Sequence, residues 1–213
     1  MLTATSGIER PEGSCRHIVQ LFDDGDSLAE ALSSFAGEGL DAGETILLVL
    51  SSDHWTLTAR YLAALGIDCD RVVDSGQLTV LDAGETLTRF WRRGRPDPHV
   101  FEASVGVLVR RLIARGAPLR VYGEMVDLLA AEGDFTGAQR LEDLWNRLGA
   151  QEPFTLFCGY MAVNFGDSCT AASLRTICHL HSHVRANPSD MLSSFLLERS
   201  RGPSTRPREA AAS

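Results

Sequence analysis

The sequence predicts an α/β fold, a three-layer sandwich around a mostly parallel central sheet. Two observations carry this reading. Short apolar strand signals alternate with amphipathic helix signals along most of the chain. One strand segment, TILLVL at 45–50, is apolar without interruption, as a strand covered on both faces requires. A length of 213 residues suits one domain, and 44% hydrophobic against 23% charged residues can fill its core.

HIVQLF at 17–22 reads as the first strand. It leaves through the turn FDDGD, where Asp24 or Asp26 can cap a helix bearing Leu28, Leu32 and Phe35. GEGLDAGE at 37–44 is expected to break that helix, with Gly43-Glu44 as a turn and exposed cap before strand 45–50. SSDHWTLTARYLAALG at 51–66 reads as a helix capped by Ser52 or Asp53 and ended by Gly66. QLTVLD at 77–82 is the next strand, followed by the short amphipathic helix AGETLTRFWRRG. Phe101, Val105, Leu108, Val109 and Leu112 mark a helix over 99–116, and PLRVYG at 118–123 is the strand after it. Gly123-Glu124-Met125 closes that strand and opens another helix. In LEDLWNRLG at 141–149, Leu141, Leu144, Trp145 and Leu148 form one core stripe, so Glu142 and Asp143 are not read as a catalytic row. FTLFCGY at 154–160 is a further strand, and SCTAASLRTICHLHSHV at 168–184 a helix candidate. Residues 1–15 and 201–213 have the composition of flexible tails, with 186–200 a helical extension.

Twenty Lys plus Arg against 28 Asp plus Glu leave a net charge of -8, which argues against non-specific binding to nucleic acid or to an anionic membrane. Five widely spaced cysteines describe neither a disulfide scaffold nor a zinc ribbon and fit a reducing compartment. The first residues carry no apolar signal segment, and no apolar run approaches membrane-spanning length. A cytoplasmic protein is the expectation.

The first strand-turn-helix is where an α/β protein places a phosphate loop. Here it reads Phe22-Asp23-Asp24-Gly25-Asp26-Ser27, without the Lys-Ser/Thr pair and with carboxylates that repel phosphate. GxSxG, HExxH and GxGxxG motifs are absent, so no enzyme class and no cofactor is assigned. The candidate ligand-binding residues lie instead at carboxyl strand ends, where parallel sheets bind ligands: Asp23, Asp24, His54, Trp55, Tyr122 and Glu124. The carboxylates can orient polar groups or a bridging cation, His54 can hydrogen-bond, and Trp55 with Tyr122 can enclose an apolar part. Glu124 can equally cap the next helix or pair with Arg120.

Cys178-His179-Leu180-His181-Ser182-His183 is the densest cluster of metal-ligating types. On a helix, Cys178 and His181 form one pair and His179 and His183 another, on different parts of the surface. One face then offers two ligands where a structural zinc needs four, so no metal site is assigned.

Several runs resemble the MEDS family, the methanogen/methylotroph, DcmR-type sensory domain. They are His17–Phe22 with Asp23-Asp24, Gly39-Leu40 with Gly43-Glu44, Gln77-Leu78 leading to Leu81-Asp82-Ala83, and Arg120–Leu129. Arg140-Leu141-Glu142, Leu144-Trp145-Asn146, Leu156–Tyr160, Ile177-Cys178 and His181–Val184 continue the likeness, so that a sensory domain over 16–185 is expected. That layout resembles in turn a RecA/KaiC-like domain whose phosphate loop has decayed. The resemblance implies a sensory or regulatory role, recognition of small hydrocarbon-related compounds, and association with histidine-kinase or transcription-regulator modules.

The expected function is a stand-alone, non-enzymatic sensor that binds a small, mostly uncharged organic ligand. It would signal through a regulatory partner or a change in homo-oligomer state. A ligand-free interaction adaptor is the alternative, favoured if core side chains close the crevice; exposed Trp55 and Tyr122 would favour the sensor. A small hydrolase or metal-dependent enzyme would need His54, Glu124 and the His179–His183 segment to converge.

Overall fold

The computed structural model describes residues 16–166 and 170–185. The expected tails and the 186–200 extension lie outside them. The chain runs β1 (Arg16–Phe22), α1 (Gly25–Asp41), β2 (Thr45–Leu50), α2 (Ser52–Ala64), α3 (Cys69–Asp74), β3 (Leu78–Asp82) and α4 (Ala83–Phe90). A small hairpin, β4 (Trp91–Arg92) and β5 (Arg95–Pro96), precedes α5 (Pro98–Phe101), a π-helical turn (Glu102–Gly106) and α6 (Val107–Ile113). Then follow β6 (Leu119–Gly123), α7 (Met125–Ala131), α8 (Phe135–Gly149), β7 (Thr155–Met161), a 3-10 turn (Ala162–Phe165), α9 (Ala171–Leu180) and β8 (His183–Arg185).

Six strands form one sheet in the order β3-β2-β6-β7-β1-β8, and every neighbouring pair is parallel. Strand periodicity divides the core. Ile18, Phe22, Ile46, Leu48, Tyr122 and Phe157 point to the face covered by α1, α2 and α3. Val19, Leu21, Leu47, Val49, Val121, Leu156 and Cys158 point to the face covered by α4 to α9. The three-layer α/β sandwich follows directly, and all residues of β2 are buried as its apolar run requires.

Several boundaries differ from expectation for physical reasons. The first helix does not break at 37–44 but continues through Gly37 and Gly39 to Asp41. Gly39 has a packing role there, because a Cβ would lie 2.6 Å from Ile46 Cδ1, and the break comes at Gly43 with φ +76°. Glu44 is not an exposed cap; it is ion-paired with Arg120, which is therefore not the partner of Glu124. Ser51, ahead of both expected caps, accepts from the His54 backbone N–H at 3.4 Å to start α2. The helix over 168–184 ends at Leu180, and His183–Arg185 is a strand. Pairing with β1 drives that change: β8 aligns with Ile18, Val19 and Gln20, and Ser182 N–H donates to the His17 carbonyl at 2.9 Å. The helical pairing assumed for His179 and His183 therefore does not exist. Helix α3 and the hairpin were not expected at all; each is too short to leave a hydrophobic period in the sequence.

Candidate functional site

The loops after β1, β2 and β6 leave the same edge of the sheet, because their strands run parallel. Asp24 caps α1, accepting from the Ser27 backbone N–H at 2.8 Å, and this bond lowers its carboxyl pKa. The adjoining Gly25 lies against α2, where a Cβ would approach His54 Nε2 to 3.2 Å. Across the edge, His54 Nδ1 is 2.9 Å from Glu124 Oε2, close but off the line of a hydrogen bond. Glu124 is 2% exposed and also accepts from the Ser51 backbone N–H at 3.4 Å. The adjacent Glu124 carboxylate raises the His54 pKa against the opposing effect of burial.

Asp127, one turn into α7, was missing from the expected set. Its Oδ1 accepts from Met161 N–H at 2.8 Å and from Asn164 Nδ2 at 2.7 Å, tying α7 to the end of β7. Burial pushes its pKa up to about 6, with the Glu124 charge adding to the rise and the two hydrogen bonds opposing it. The charges of Glu124 and His54 both act on Asp127, which places the three in one neighbourhood at the edge.

The other expected residues are placed differently. Asp23 and Asp24 are exposed on the rim. Trp55 is half-buried against the α1-side core. Tyr122 is fully buried beneath the edge, its ring 5.5 Å from that of Phe157 and its hydroxyl without a hydrogen bond. The 179–183 segment does not join His54 and Glu124: β8 is four strands from β2, about 19 Å at 4.8 Å per strand. A separate cavity of about 740 Å³, between the hairpin and α8, is lined by Arg92, Arg93, Arg95, Arg140 and Arg147, a local basic patch in an acidic chain.

A second polar cluster is buried beneath α8 and α9, on the face of the sheet opposite α1 to α3. His17 from β1, Cys158 from β7, Glu142 from α8 and His181 just after α9 meet there. His17 Nε2 is 3.2 Å from Glu142 Oε2 and 3.3 Å from Cys158 Sγ. His181 Nε2 is 3.3 Å from Glu142 Oε1, and Tyr160 donates its hydroxyl to that oxygen at 2.8 Å. Burial opposes ionisation of Glu142, but the combined effect of His181 and His17 holds its carboxyl well below the usual range.

The model of the methanogen/methylotroph, DcmR sensory domain matches residues 16–182. The chain belongs to the MEDS family. No curated protein matches this MEDS chain. Among its described residues no helix is long and apolar enough to cross a membrane. The MEDS assignment makes this a sensory domain, which agrees with the expected signal-transduction role. His17, Glu142, Cys158, His181 and Asp127 all fall in runs that carry the MEDS resemblance, a signal that helical spacing within single elements did not use.

Proposed function

We propose that this MEDS protein is a non-catalytic cytoplasmic sensor that takes a small, mostly uncharged ligand at the carboxyl edge of its sheet. The observation that supports this best is the His54–Glu124 pair, in which a buried carboxylate meets an imidazole 20% exposed. A ligand hydroxyl or carbonyl can hydrogen-bond at such a pair, while the half-buried Trp55 supplies an apolar wall. Asp23 and Asp24 form the rim, and Tyr122 supports the edge from below. The response passes to a regulatory protein, such as a histidine kinase or transcription regulator, or to a second copy of the chain.

Full burial of Tyr122 favours a second reading, in which the edge docks a regulator without a small ligand. The two separate experimentally. Native mass spectrometry of the purified protein searches for a bound small molecule, and Trp fluorescence follows titration with short-chain alcohols and ketones. The sensor reading expects saturable binding weakened by Trp55→Ala and by Glu124→Gln, with partner affinity or self-association changed by the bound molecule. Unchanged binding in both variants removes this site. Partner capture lost in the same variants without any small-molecule binding supports the adaptor.

A further inference from the structure

We infer that His17, Glu142, Cys158 and His181 form a metal site for a tetrahedrally coordinated cation, Zn²⁺ foremost. Strands β1 and β7, helix α8 and the residue that follows α9 supply one ligand each, all four residues are buried, and their ligand atoms lie within 4.8 Å of one another. Zn–N, Zn–O and Zn–S bonds of about 2.0–2.3 Å place tetrahedral ligands about 3.3–3.8 Å apart. His17 Nε2, Cys158 Sγ and Glu142 Oε2 already approach that spacing, at 3.2 Å for His17–Glu142, 3.3 Å for His17–Cys158 and 3.5 Å for Cys158–Glu142, while His181 Nε2 lies 3.3 Å from the other carboxylate oxygen, Oε1.

Tautomers strengthen the assignment. Asn146 Nδ2 donates to the Leu180 carbonyl at 2.9 Å, which turns its Oδ1 toward His17 Nδ1 at 3.0 Å. His181 Nδ1 lies 2.7 Å from the Ile177 carbonyl. Both partners only accept, so both Nδ1 atoms carry a proton, and each ring turns its Nε2 into the cluster. Each Nε2 faces the Glu142 carboxylate. His181 Nε2 is buried and has no hydrogen-bond partner there.

Protons alone could meet the carboxylate from both rings only as two imidazoliums with ring centroids 3.9 Å apart. One divalent ion satisfies both nitrogens, the carboxylate and the sulfur together. Cys158 keeps its thiol, and binding releases the thiol proton as the metal–sulfur bond forms. Two imidazoles, one thiolate and one carboxylate suit Zn²⁺. Asn146, the Ile177 carbonyl and Tyr160 complete the outer shell that orients such ligands. With four protein ligands the site is closed, and it fastens the α9–β8 segment to β1, β7 and α8.

The test uses the full chain, stripped with chelator and titrated first with Co²⁺ and then with Zn²⁺. The expected result is one ion per chain, a tetrahedral Co²⁺ spectrum with a sulfur-to-cobalt band, and displacement by Zn²⁺. Cys158→Ser removes the sulfur band, Glu142→Gln weakens Zn²⁺ by at least about 10-fold, and Tyr160→Phe weakens it by about 10–100-fold. His179→Ala with His183→Ala leaves the spectrum unchanged. A folded wild-type chain that binds no Co²⁺, or binds it without sulfur coordination, overturns the proposal. So does unchanged affinity in a folded Cys158→Ser/Glu142→Gln variant, or loss of the spectrum in the His179/His183 variant. The wild-type spectrum decides the matter even where a ligand variant fails to fold, and none of these readouts depends on the carboxyl-edge site.

Discussion

His54 on α2 and Glu124 at the entry to α7 bring their side chains within 2.9 Å, joining the ends of two neighbouring strands. The contact couples the helix layers, since α2 covers one face of the sheet and α7 the other.

Glu124→Gln removes the carboxylate that raises the His54 pKa as acceptor and as charge, so the His54 titration followed by NMR should move down. The linked effect on stability has a definite sign. A raised native pKa stabilises the fold fully below the ordinary histidine pKa, and this contribution disappears as pH rises through the native value. The stability advantage of wild type over Glu124→Gln should therefore shrink between mildly acidic and alkaline pH. An unmoved His54 titration would contradict the pairing.

Asp127 shows the same sign at lower pH. Its native pKa of about 6, raised from 3.8, favours the protonated form, so its contribution is present below the ordinary carboxyl pKa and lost as pH rises through about 6. Asp127→Asn keeps an Oδ1 acceptor for Met161 and Asn164 and removes the buried charge. Urea denaturation should show this variant gaining on wild type from pH 4 to 7, by up to about 3 kcal/mol. A pH-independent difference between the two proteins would contradict the assignment.

Gly39→Ala tests the uninterrupted α1. Alanine improves intrinsic helix propensity by about 1 kcal/mol, yet its Cβ meets Ile46 Cδ1 at 2.6 Å and Arg120 Cδ at 3.0 Å. Overpacking should win, with a net loss of about 1–2 kcal/mol in chemical denaturation. A stabilised variant would show that the sheet and helix can separate at little cost.

Trp145 is fully buried, edge-on to Phe101 at 5.3 Å between ring centroids. Trp145→Ala should cost about 3–5 kcal/mol. Its indole N–H is buried without a hydrogen-bond partner, so Trp145→Phe should cost far less than the alanine variant, because it keeps an aromatic ring and discards that N–H. Equal losses in the two variants, measured by urea denaturation, would contradict this division between packing and polarity.

Strands β1, β2, β3, β6 and β7 and several helix starts were legible because each is set by neighbours in sequence, whereas α8 begins at Phe135, ahead of the stripe that marked it. TILLVL had to be covered on both faces, and Asp24 could be recognised as a cap from the turn around it. The stripe around Trp145 likewise reported its own burial. The end of α1 was not legible, because local propensity reads Gly37 and Gly39 as breakers, whereas close packing against β2 gives Gly39 its place. The helix after 170 was overextended for a related reason: β1 offers hydrogen bonds to His183–Arg185 that no local pattern reveals.

By itself the sequence determined the layered α/β class, its parallel sheet and the strand ends where His54 and Glu124 lie, since hydrophobic period and turn chemistry are local properties. Tertiary structure alone decided that His54 meets Glu124, that Tyr122 is sealed beneath them, and that His17, Glu142, Cys158 and His181 share one buried cluster. Those relations depend on which strands become neighbours and on the face to which each side chain points. Spacing within a single element carries no record of either.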